Sequence, residues 1–198
     1  MSKSPLKRIY TSFGDVTKAY NHVRRELWKL GVLWNGSRLD GVQCIYEPVA
    51  LKSALLGWMG YFDFDDQDIH FPSLYLPIGW LVGLVGAKDG PRNVIRHEFG
   101  HALADLYPET LKKGGTFRVA FGGTYGPTPA KGTDPTDWQD RCVSAYAASA
   151  TQEDFAETFM LFVKHKGKIP AKFAKCPAIQ KKWDAVREIV CRVAACVE

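Results

Sequence analysis

The segment Arg96-His97-Glu98-Phe99-Gly100-His101-Ala102-Leu103 sets two histidines four residues apart, with a glutamate directly after the first. The flanking residues make it a helix. Asp89-Gly90-Pro91 is a start signal, because proline is tolerated in a first turn where its missing N–H would have no partner. Val94, Ile95, Phe99, Ala102, Leu103 and Leu106 recur at helical spacing, and Pro108 stops the run. Residues four apart stand one above the other on a helix face. His97 and His101 can therefore share one zinc ion, at about 2.0–2.1 Å from each ring nitrogen. Glu98 points toward the same cavity, where a carboxylate can take a proton from an activated water. Gly100 breaks the local rule at a cost of about 1 kcal/mol relative to alanine. The close approach of another backbone or of a ligand would explain it.

Two imidazoles need a third protein ligand. The extended pattern with a downstream glycine and third histidine is absent, since Ala104 and Tyr107 stand at those places. His22, His70 and His165 lie in contexts that do not suggest a ligand. The better candidate is Thr151-Gln152-Glu153-Asp154-Phe155-Ala156-Glu157-Thr158-Phe159, read as a second helix with Thr151 as its cap. Phe155, Phe159, Phe162 and Val163 form its apolar stripe. Glu153 and Glu157 share a face one turn apart. Glu153 is then the metal ligand, while Glu157 accepts the free ring N–H of a ligating histidine and fixes its tautomer. Asp154 is read as an acid that complements the helix dipole. Two histidines and one carboxylate leave a fourth position open for water, the arrangement of a catalytic zinc.

Together, His97-Glu98-Phe99-Gly100-His101-Ala102 and Glu153-Asp154-Phe155-Ala156-Glu157-Thr158-Phe159 resemble the gluzincin zinc metallopeptidases, most nearly the peptidase domain of anthrax lethal factor and its small bacterial relatives. The resemblance is specific over roughly residues 67–163 and implies a zinc metalloendopeptidase. It also implies that the tyrosine seven residues before the glutamate ligand, here Tyr146, hydrogen-bonds the transition-state oxyanion. The expected fold is α+β and zincin-like: a small mixed sheet, an active-site helix with His97 and His101, and a second helix carrying Glu153. No substrate-recognition domain of the lethal-factor kind fits in 198 residues. A housekeeping peptidase and a toxin or effector protease share this chemistry, and the sequence leaves both open.

A chain of 198 residues with 46% hydrophobic content suits a single domain with a real core. Residues 1–35 would form an N-terminal helical element and residues 36–198 the catalytic core. Five cysteines without a Cys-x-x-Cys pair argue against a disulfide framework and for a reducing compartment. The basic N-terminus lacks a signal core, and the apolar run at residues 78–86 is too short to span a bilayer. The expectation is a cytoplasmic protein, or one exported without a signal peptide, that acts on a protein or peptide substrate.

The net charge of +5 is concentrated after residue 160, where nine Lys or Arg face three acids. No aromatics interleave the lysines to stack bases, so the composition speaks against nucleic acid and for a solvated face. The alternative to an enzyme is a zinc-stabilised binding module that uses this basic region. Glu98 discriminates between them, because a structural site has no use for a general base.

Along the rest of the chain, Val16, Tyr20, Val23, Leu27 and Leu30 mark a helix over residues 12–31, which packs on the domain or serves as a pro-segment. Residues 41–46 read as a strand, and 49–58 as a short helix or irregular segment. Residues 68–72 and 74–77 are short extended pieces in which proline argues for a sheet edge. An edge there could pair with an extended peptide substrate. Residues 114–123 read as a strand between glycine turns, and 124–140 as a mobile loop that could wall the cleft. Two helices, at 152–166 and about 178–195 with Trp183 as anchor, close the chain.

Overall fold

The computed structural model describes residues 12–47, 60–72, 90–130 and 138–196. The expectations for residues 49–58, 74–77 and 78–86, and for Asp89, lie outside them. Among the described residues six helices and three short strands form a mixed α+β structure: α1 (Phe13–Lys29), β1 (Cys44–Glu47), β2 (Tyr61–Phe62), β3 (Ile69–Pro72), α2 (Pro91–Leu106), α3 (Pro108–Lys112), α4 (Thr116–Phe121), α5 (Thr151–Lys164) and α6 (Pro177–Ala194).

Helix α1 starts at Ser12, whose hydroxyl oxygen accepts the Asp15 N–H at 3.2 Å. Its stripe of Val16, Ala19, Val23 and Leu27 is buried. That stripe faces α2, with Tyr20 stacked on Phe99 at 6.0 Å. Arg96 locks the two helices together, its Nε and guanidinium N–H donating to both Glu26 oxygens at 2.9 and 3.0 Å. The N-terminal helix thus packs on the core.

Helix α2 runs through the centre, with residues 93–104 all buried. It crosses α5 at Gly100, where a Cβ would stand 3.0 Å from the Ala156 Cα. The glycine anticipated from its local cost is therefore explained by a neighbouring backbone.

Four sequence expectations are corrected. Strand β3 lies in the middle of the sheet, in the order β1-β3-β2, parallel to β1 and antiparallel to β2. Pro72 is its last residue, paired with Glu47 of β1, and among the described residues β2 pairs with Ile69 and His70 and not with the proline. With a strand on either side, β3 offers no free edge for a peptide along Ile69–Phe71; among the described residues β1 and β2 hold the edges. Second, residues 116–121 form helix α4 where a strand was expected. Phe117 and Phe121, one turn apart and buried, both pack on Phe155 at 5.7 Å. The glycines punctuate helix ends, and Gly122 caps α4 with a φ of 73° that other residues rarely adopt.

The third correction concerns Thr151, which is inside α5 while Ala150 holds the cap position. Its hydroxyl donates to the Thr124 carbonyl at 2.6 Å, pinning the start of the 124–130 loop to the helix. Fourth, Asp154 forms a buried ion pair with Lys182 on α6, so it does more than complement a dipole. As expected, α6 is anchored by Trp183, which is buried beneath Phe162.

Candidate metal centre

The crossing of α2 over α5 brings three predicted residues to one point. Donor atoms of His97, His101 and Glu153 all lie within 4.8 Å of one another, and all three residues are buried. The His97 and His101 Nε2 atoms are 3.1 Å apart. Glu153 Oε2 stands 3.1 Å from the first and 3.5 Å from the second. A tetrahedral ion with bonds of about 2.0–2.1 Å requires ligand atoms about 3.3–3.4 Å apart. The three atoms thus form one face of such a tetrahedron, and the donor set fits zinc.

Partners on the far side of each ring fix this orientation. Glu157 Oε1 accepts the His97 Nδ1–H at 2.9 Å, while the Ser144 hydroxyl donates to Glu157 Oε2 at 2.8 Å. The Tyr125 hydroxyl meets His101 Nδ1 at 2.7 Å. With Nδ1 protonated in both rings, both Nε2 lone pairs face the carboxylate. Burial alone would lower the His97 pKa, but hydrogen bonds to Glu153 and Glu157 hold it well above the ordinary value. A cation entering the group therefore competes with a proton. Burial would raise Glu153, but its contacts with His101 and His97 carry it far below the usual carboxylate range.

Glu98 is buried on the same helix. Burial raises its carboxyl above the ordinary value, opposed by His97, His101 and a hydrogen bond from the Phe62 backbone N–H on β2. Among the described residues it makes no ion pair. Tyr146 stands with its ring 5.9 Å from that of His97. Burial, followed by the Glu153 charge, pushes its pKa up, so the phenol keeps its proton. His97, Glu98, His101, Glu153 and Glu157 are buried, and Tyr146 stands half-buried beside His97.

Sequence reasoning missed Tyr125, Ser144 and the Phe62 N–H. Tyr125 carried one weak signal, a large aromatic inside Gly122-Gly123-Thr124-Tyr125-Gly126. The other two are partners that only tertiary contact selects. Tyr125 also borders a cavity of about 570 Å³ with apolar walls at Leu111 and Phe117 and with Lys112 and Arg118 among its lining residues. A second His-carboxylate group, Asp63, Asp66 and His70, lies at the sheet end and is not part of this centre.

No curated protein and no solved structure matches the chain. Residues 93–175 match a family model described as "Putative zinc-binding metallo-peptidase". That segment holds both imidazoles, the carboxylate, Glu98 and Tyr146; its match supports a zinc peptidase at the family level, and the His-His-Glu group is able to hold a metal such as zinc.

Proposed function

We propose that the chain is a gluzincin-type zinc endopeptidase, related in its site plan to the lethal-factor peptidase domain, with His97, His101 and Glu153 as the metal ligands. The observation that carries this reading is the position of Glu98. Its carboxyl is buried on the helix that carries both imidazoles, is acted on by His97, His101 and the Phe62 backbone N–H, and among the described residues makes no ion pair with a Lys or Arg that would spend its basicity. A purely structural zinc site has no role for such a group, so the same observation weighs against a non-catalytic binding module.

A bound zinc supplies a polarised scissile carbonyl and a water acidic enough to lose a proton near neutrality. Glu98 takes that proton, and its raised pKa suits it to pass the proton on to the departing amine. Tyr146, protonated and anchored beside Glu153, donates a hydrogen bond to the oxyanion as charge develops there. Glu157 holds the His97 ring through Nδ1, and Tyr125 does the same for His101. The substrate is a protein or peptide, and both a housekeeping and an effector role are compatible with this chemistry. Among the described residues no helix is long and apolar enough to cross a membrane.

The test joins metal analysis with mass spectrometry of a peptide library incubated with and without chelator. Zinc near one per chain and chelator-sensitive cleavage are expected. Glu98→Gln should keep the zinc and lose hydrolysis; retained turnover removes Glu98 from the base role.

A further inference from the structure

Resting on that peptidase reading, we propose that the buried Lys182–Asp154 pair is a positioning clamp, holding the segment that carries Tyr146 in register with the turn that carries Glu153. Lys182, on α6, is enclosed, with 7% side-chain exposure against 4% for Asp154. Its ammonium donates to Asp154 Oδ2 at 2.5 Å and to the Arg141 backbone carbonyl at 2.5 Å, and lies 3.5 Å from the Cys142 sulfur. One nitrogen therefore ties together two pieces of chain that are separate in sequence.

Each piece delivers part of the centre. Asp154 follows Glu153 in the first turn of α5, so holding the aspartate fixes the turn that carries the ligand. Arg141 and Cys142 begin the stretch that leads to Ser144, which donates to Glu157, and to Tyr146. On either side of Tyr146, Val143, Ala147 and Ala148 belong to one buried apolar cluster with Ile179, one turn before Lys182 on α6. The 141–148 stretch is thus seated on α6 by apolar contact and tied to α5 by the ammonium.

Stability alone does not account for the pair. A buried ion pair seldom outperforms well-packed apolar residues, because both charges lose their hydration. Here the cost is visible: Asp154 Oδ1 is buried with no hydrogen-bond partner among the described residues. A hydrophobic pair would remove that orphan, but it could not bond the Arg141 carbonyl. What the lysine adds is a fixed link between backbone and helix turn, which is what alignment of an oxyanion donor with a metal ligand requires.

The decisive variant is Lys182→Met combined with Asp154→Leu in the full chain, which removes both charges and leaves none unpaired. Melting temperature, the visible spectrum of the Co2+-substituted protein, and kcat and KM on the best library peptide are measured. The expected result is a folded protein melting near the wild type, with kcat lowered about tenfold or more, KM within about twofold and an altered cobalt spectrum. Wild-type kcat and cobalt spectrum in the folded double variant would overturn the clamp and leave the pair a packing element. Should the double variant fail to fold, Lys182→Arg keeps the charge opposite Asp154 but moves the donor, and the same two readouts decide. Lys181→Met, on the exposed face of α6, is the control expected to match the wild type. If the wild-type chain cleaves no peptide, the peptidase reading fails, and the cobalt spectrum alone decides the clamp.

Discussion

Gly100 sets how closely the two helices of the metal centre approach. An added Cβ would meet the Ala156 Cα at 3.0 Å and the Phe159 ring at 3.3 Å. Backbone cannot yield as a flexible side chain does, so Gly100→Ala must push α2 and α5 apart. Overpacking of this kind costs about 1–3 kcal/mol, more than the roughly 1 kcal/mol that alanine gains in helix propensity. The expected outcome is a lower melting temperature together with weaker zinc retention, read by thermal melts and by dialysis against chelator. Wild-type zinc retention would show that the centre absorbs the shift. Tyr146 acts through its hydroxyl alone in the proposed mechanism. Tyr146→Phe should therefore lower kcat by about 10²-fold with KM nearly unchanged, as loss of one oxyanion donor does. Unchanged kcat would assign the ring to packing against His97.

Among the elements, the three-stranded sheet carries its own charge network. His70 on the central strand bonds Glu47 of β1 through Nδ1 at 2.9 Å and Asp66 of the β2–β3 turn through Nε2 at 3.0 Å, with Tyr61 of β2 stacked on its ring at 4.9 Å. Burial would lower its pKa, but the Asp66 and Glu47 carboxylates raise it above the ordinary 6.5. The sign follows: the folded state holds the proton more tightly than the unfolded chain. The stabilisation is full below pH 6.5 and is lost as pH rises through the folded value. His70→Gln should therefore cost more stability at pH 6 than at pH 9, measured by urea unfolding at the two values; an equal cost would show that stacking, not charge, is what matters. Because the Phe62 backbone N–H of β2 acts on the Glu98 carboxyl, loosening this sheet end reaches the proposed general base.

For the molecule as a whole, a centre assembled from α2 and α5 makes zinc a cross-link of the core. Removing a ligand present at 100 times its dissociation constant costs about 2.7 kcal/mol, or about 5–10 °C for a chain of this size. Chelation should lower the melting temperature by that order, and readdition of zinc should restore it; an unchanged melt would mean that the folded protein holds no metal. The sequence by itself determined α1, α2, α5 and α6, since their apolar residues repeat at 3.6-residue spacing over many turns. It also determined His97, Glu98 and His101, because one helix turn fixes their common face. Gly100 was readable as an exception, and the resemblance singled out Tyr146. Tertiary structure alone decided the rest. Residues 116–121 are too few for a period to show, and β3 takes the central place despite Pro72, which stands at its last position. Asp154 and Lys182 meet across two helices, and Tyr125 reaches His101 from a loop whose local sequence names no partner. Periodicity is written in neighbouring residues, whereas a hydrogen bond between distant segments exists only once the chain has closed around it.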